Sequence, residues 1–110
     1  MHKDGILIAS EAGLEVRSFE DIPDVIGACF GAHSLLLTEQ ELSSDFFNLK
    51  SGLAGELMQK FTNYRLRVAI VVPDPSVYGE RFVELAREHR THRLIRFLPS
   101  VDDALAWLAT

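Results

Sequence analysis

The chain has 110 residues, 47% of them hydrophobic and 25% charged, with a formal net charge of −5 at pH 7. This is the size and composition of one globular domain with a single core, not of a disordered or fibrous chain. The net acidity argues against nucleic-acid binding, which needs Lys and Arg to neutralise phosphates. Apolar runs such as Val68 to Val72 fall far short of the roughly 20 residues that span a bilayer.

Residues 1–9 contain too short an apolar stretch for a signal-peptide core, and the lone Cys29 has no disulfide partner within the chain. A reducing cytoplasm is therefore the expected compartment, with Cys29 as a buried thiol. Residues 6–9 and 14–17 are short runs separated by Glu11, Ala12 and Gly13, which predicts an antiparallel hairpin. Ser18 and Asp21 have capping-box spacing, and Pro23 suits a first helical turn. The helix they open places Ile22, Val25, Ile26, Cys29 and Phe30 on one buried stripe and ends at Gly31, with His33 near its negative end.

Ser34 to Thr38 is an unalternated apolar run, as expected of a strand covered on both faces. Between Asp45 and Tyr64 the residues Phe46, Leu49, Leu53, Leu57 and Phe61 recur with helical spacing. Two arrangements fit. Ser44 caps one helix through Lys60, or a short turn carries Phe46 and Phe47 and the main helix begins near Ser51 and Gly52. Residues 66–72 predict a central strand stopped by Pro73, Asp74 and Pro75. A third helix carries Tyr78, Phe82, Leu85, Ala86 and His89, residues 94–98 predict a fifth strand, and Ser100 with Asp103 caps a last helix bearing Ala104, Leu105, Trp107 and Leu108.

The expected fold is one α/β domain over residues 1–110. It has a single-layer, mixed, mostly parallel five-stranded sheet with four helices in the order β-β-α-β-α-β-α-β-α. Function in such a sheet is expected at the loops after the strand carboxyl ends, here residues 38–50, 73–78 and 99–100.

No phosphate-binding glycine loop, dinucleotide fingerprint, nucleophile elbow or zinc-spaced cluster is present, so no catalytic residue, metal or cofactor is expected. His89 and His92 lack a carboxylate partner placed by spacing. Asp45, Glu56 and Asp74 read as a cap, a solvated helix residue and a turn former. Tyr64, Tyr78 and Trp107 read as core or rim aromatics. Arg87, Arg90, Arg93 and Arg96 recur every three residues, either as a solvated face among Glu84 and Glu88 or as a basic contact for an anion or acidic partner. Residues 1–49 hold nine acids and two bases, and residues 50–110 seven acids and nine bases. That asymmetry serves attraction within the fold or a polar face for a partner.

The segment 45–56 is the most distinctive. Gly52 and Gly55 each cost about 1 kcal/mol against Ala inside a helix, so close packing or a helix start is expected there. A helix start would set Ser51 beside unpaired N–H groups, with Lys50 adding positive charge, a favourable place for phosphate. The alternative is a capping serine and two packing glycines.

With this element order and Ser51-Gly52-Leu53, the chain resembles the STAS domains of sulfate transporters and anti-sigma factor antagonists. In the bacterial antagonists an Asp-Ser-Ser/Thr-Gly-Leu block carries a serine phosphorylated by a partner kinase to break a protein complex. Ser51, Gly52 and Leu53 match its last three positions, whereas Leu49 and Lys50 replace the first two. A second resemblance spans nearly the whole chain and is carried by Asp45-Phe46-Phe47, Leu49-Lys50, Gly52-Leu53-Ala54-Gly55-Glu56, Gln59-Lys60-Phe61, Asn63-Tyr64-Arg65 and Ala69-Ile70. It is to a family of small bacterial proteins catalogued as a domain of unknown function.

The leading expectation is a noncatalytic cytoplasmic regulatory or scaffold domain. It would act by protein contacts through Asp45, Phe47, Asn48, Gly55 and Glu56, with Lys50, Ser51 and Gly52 as a phospho-switch or anion site. One alternative is a small-ligand or anion-binding domain, or a minor enzyme, using Lys50, Ser51 and Asp74 at the strand ends with Arg96. Another is a self-associating structural module that forms a homo-oligomer through its charge asymmetry or an edge strand.

Overall fold

A computed structural model describes residues 2–3 and 5–110, with side chains from residue 5 onward. The reading of the N-terminus as no signal peptide rests partly on Met1 and Asp4, which lie outside the described residues. Four parallel strands make up the body of the sheet: β2 (Ile6–Ile8), β3 (Ser34–Thr38), β4 (Arg67–Val71) and β5 (Ile95–Leu98). The two-residue β1 (His2–Lys3) pairs antiparallel beside β2, and the spatial order is the order in sequence. Six α-helices are present among the described residues: α1 (Ala9–Ala12), α2 (Ile22–Ala28), α3 (Ser44–Phe47), α4 (Leu53–Asn63), α5 (Glu80–Glu88) and α6 (Val101–Leu108).

Two corrections to the expected order follow. Residues 14–17 are not a strand hairpinned to residues 6–9. Gly13, at φ 70°, closes the helical turn α1, so the expected hairpin glycine is a helix C-cap. Val16 instead pairs with the segment after β3: its N–H donates to Glu41 O at 2.8 Å, and its own carbonyl accepts from Ser43 N at 3.1 Å. The helix count rises from four to six because α1 and α3 are single turns. Of the two arrangements for residues 45–64, the short turn carrying Phe46 and Phe47 followed by a separate main helix is the one present.

Elsewhere local signals place the elements. Ser18 and Asp21 form the capping box, Ser18 N donating to Asp21 Oδ2 at 3.2 Å. Ser100 Oγ caps α6 through Asp103 N at 3.1 Å. The β4 strand lies between β3 and β5, and Val68, Ala69 and Ile70 are fully buried.

Successive parallel strands joined by right-handed crossovers put the crossover helices on one face. That face packs Leu35, Leu37, Val68, Ile70 and Ile95 against Val25, Leu53, Leu57, Phe61 and Phe82 from α2, α4 and α5. On the other face α6 alone supplies Ala104 and Leu108, over Ile6, Leu36, Ala69 and Val71. Each such buried Val, Leu, Ile or Phe side chain contributes about 1.5–3 kcal/mol, and the alanines less. One polar atom breaks the pattern. Ser34 is 2% exposed, and its Oγ has no hydrogen-bond partner among the described residues. Leaving a buried hydroxyl unpaired costs about 1–3 kcal/mol.

The two glycines of the 45–56 segment have different reasons to be glycine. Gly52 has φ +85°, a left-handed conformation at the start of α4, whereas Gly55 lies exposed inside α4 with open space where a Cβ would stand. Gly52→Ala is expected to destabilise the fold by about 1 kcal/mol, and Gly55→Ala to stabilise it by about 0.5–1 kcal/mol. Urea unfolding monitored by circular dichroism checks both signs.

Candidate functional site

The 45–56 segment is a tightly bonded junction between α3 and α4. Asn48 Oδ1 accepts from Lys50 N at 3.3 Å, and Ser51 N donates to Asn48 O at 2.9 Å. The half-buried Ser51 hydroxyl donates to Asp45 O at 2.6 Å and accepts from Leu53 N at 3.2 Å. The serine thus ties the start of α3 to the first turn of α4, whose N–H groups are the unpaired donors of a helix terminus. Lys50, Gly52, Asp45, Asn48, Gly55 and Glu56 are all exposed.

Phe47, expected on an interaction surface, is only 9% exposed. Its ring stacks on Tyr78 at 3.7 Å with 8° between planes and meets Phe82 edge-on at 5.1 Å. Phe82 continues the chain of rings to Phe97 at 5.2 Å. The Tyr78 hydroxyl donates to the Glu39 carboxylate. Burial, then that bond, pushes the phenol up to about 12, so it keeps its proton at neutral pH. A shallow depression of about 330 Å³ runs between Asn48, Lys50, Gly79 and Arg81 beside this stack.

The residues expected to converge at the strand carboxyl ends do not. Asp74 turns its Oδ1 onto Ser76, accepting from Ser76 N at 3.0 Å and Oγ at 2.5 Å. Arg96 lies on the opposite face of the sheet, its guanidinium 4.7 Å from the Trp107 ring centroid. The four arginines therefore form no single patch. Arg87, Arg90 and Arg93 are exposed around the end of α5, while Arg96 reaches back to His92 O at 2.8 Å and stacks under α6. Among the described residues no three His, Cys, Asp or Glu side chains are grouped to hold a metal, and no helix is long and apolar enough to cross a membrane.

The sequence reading missed the exposed aromatic face of α2 and α4. Phe30, placed by spacing on the buried stripe, is 73% exposed, because α2 ends at Ala28 and the chain leaves the helical path before Phe30. Its ring meets Tyr64, itself 55% exposed, edge-on at 6.4 Å. Between them and Ile22, Pro23, Ile26 and Lys60 runs a groove of about 260 Å³. At the other end of α4, Phe19 is 51% exposed and lies where a Cβ on Gly52 would be 3.7 Å from its ring. The only sequence signal for this face was the run of bulky residues around two helix ends. Cys29 is buried as expected, and burial raises its thiol to about 11.

His92 generates a pH test. Its Nδ1 accepts from Leu94 N and Ile95 N, both at 3.1 Å, which requires that nitrogen unprotonated at the start of β5. Burial first, then His89 and Arg96, lower its pKa from 6.5. A lowered folded-state pKa gives stability that is complete above the unfolded value and lost as pH falls through the folded one. The melting temperature is therefore expected to drop as pH falls below about 6.5, and His92→Asn to flatten that limb. Differential scanning fluorimetry across this range, above the carboxylate region, reads both.

No curated protein and no solved structure matches the chain. Residues 1–108 match a family described as a domain of unknown function, DUF4180. With the match covering all but the last two residues, the chain belongs to the DUF4180 family.

Proposed function

We propose that the chain is a noncatalytic regulatory or scaffold domain with a STAS-like fold, which holds a protein partner on the face formed by α2 and α4. The observation that carries this reading is the exposure of Phe30 and Tyr64 beside the groove between α2 and α4, with Phe19 exposed at the other end of α4. A single exposed aromatic is ordinary on a protein surface, whereas apolar groups gathered beside a groove mark interaction sites. The groove is bounded by two helices and floored by Ile22 and Ile26, a shape that accepts the apolar side chains of an amphipathic segment. The sequential parallel sheet with its crossover helices on one face supports the STAS-like reading.

Ser51 is the control point in this proposal. A phosphate ester has no proton to give Asp45 O, so modification removes the tie from α4 to α3. The added charge of about −1.5 to −2 is held by the start of α4 and by Lys50, on the surface that Phe19 adjoins. In a reducing cytoplasm, the expected compartment, a kinase and a phosphatase would set the state of this serine.

The test is a photo-crosslinking residue placed at position 30, 64 or 101 in cells of the native host. Position 101 is the control, since Val101 is 43% exposed on the α6 side. One adduct of defined mass is expected from positions 30 and 64, absent from 101, and reduced by Ser51→Glu. Equal adducts from position 101, or none from any position, would sink the proposal. An adduct of twice the chain mass would identify the partner as a second copy and support the homo-oligomer instead.

A further inference from the structure

Beneath the free end of α6, on the face away from the groove, lies a cavity of about 440 Å³. Its floor is the first residue of three neighbouring strands, Ile6, Ser34 and Arg67, which are in register. Leu105, Leu108 and Thr110 form the wall from α6 and the residues after it. The volume falls in the range of small-molecule sites, roughly 300–1,000 Å³.

His33 also lines this cavity, and beside it Ser34 and Arg67 have unused bonding capacity. The Ser34 hydroxyl is 98% removed from solvent and has no partner among the described residues, although buried hydroxyls are normally paired. Arg67 has five N–H donors. Nη1 and Nη2 donate to Thr110 O at 2.9 Å, Trp107 O at 3.1 Å and Thr110 Oγ1 at 3.4 Å, and Nε has no partner among the described residues. No Asp or Glu lies within ion-pair distance of it among the described residues. Arg67 and Arg96 both stack on Trp107, at 4.4 and 4.7 Å, so two guanidinium groups share one ring.

The unpaired Arg67 Nε–H beside the Ser34 hydroxyl offers two donors to a carboxylate, and the aliphatic walls match a hydrocarbon body. We infer that the cavity binds a small organic monocarboxylate, its oxygens on Arg67 and Ser34 Oγ and its hydrocarbon part against Ile6, Leu105 and Leu108. This site lies at the amino ends of the strands, opposite the end where function was expected. It is independent of the partner face.

The test uses the full chain, labelled with ¹⁵N and titrated with hexanoate, hexanol and inorganic phosphate. Hexanoate is expected to give saturable shifts at the amides of Ile6, Ser34, Arg67 and Leu108, and hexanol to bind roughly tenfold more weakly for want of a charge-assisted hydrogen bond. Equal binding of hexanol, preference for phosphate, or no saturable shift would each overturn the inference. Arg67→Gln should weaken hexanoate by a similar factor. Because Arg67 also holds the end of α6, Ser34→Ala keeps the test decisive. Removing an unpaired hydroxyl should leave the melting temperature of the free protein unchanged or higher while weakening hexanoate several-fold. A Ser34→Ala protein that melts lower and binds hexanoate as before would overturn the assignment.

Discussion

The arrangement depends on one topological constraint. Four parallel strands follow one another in space in the order they occur in sequence, and right-handed crossovers then put every connecting helix on the same side. One face of the sheet is thereby covered by α2, α4 and α5, and the other receives only α6. On the outer side of the thick face, Phe19, Phe30 and Tyr64 stand exposed at the ends of α2 and α4. The thin face is covered incompletely, and the cavity at Ser34 lies where α6 ends. Both candidate sites are consequences of this uneven coverage.

The thin layer is held by polar chemistry in addition to apolar burial. Arg67 caps the end of α6 by donating to Trp107 O and Thr110 O, where cationic groups are favoured by the helix dipole. Its guanidinium and that of Arg96 also cover the Trp107 ring, an interaction worth about 0.5–2 kcal/mol for each pair depending on solvent exposure. The same contacts bring positive charge to the cavity. Anchoring the helix and preparing an anion site are thus one arrangement of side chains.

On the thick side, Ser51 has an equally dual position. As a hydroxyl it closes the α3–α4 junction with one donated and one accepted hydrogen bond. Phe47, at the end of α3 beside that junction, packs against Phe46, Tyr78 and Phe82, so the helix start and the aromatic cluster are connected. A change at Ser51 has a route into the packing beside α5 as well as onto the surface near Phe19.

The sequence by itself determined what is governed by neighbours along the chain. The apolar period of Leu53, Leu57 and Phe61 marked α4, the β-branched run marked β4, and the Ser18 and Ser100 caps marked helix starts, because periodicity and capping act within a few residues. Ser51 was likewise legible as a helix-start serine. Tertiary structure decided which elements pair and which way a side chain turns once its helix has ended. Val16 pairs beside Leu42 instead of with the adjacent strand, since backbone groups are satisfied by whichever chain passes at the right distance. Phe30 and Phe47 exchanged their expected places, one stranded past the end of α2 and the other turned inward by a single helical turn. The spacing of three shared by the arginines did not survive the passage from helix to strand, which sent Arg96 alone to the opposite face. The burial of Ser34 beside Arg67 depends on three strands in register under a helix from the far end of the chain, a relation no local pattern encodes.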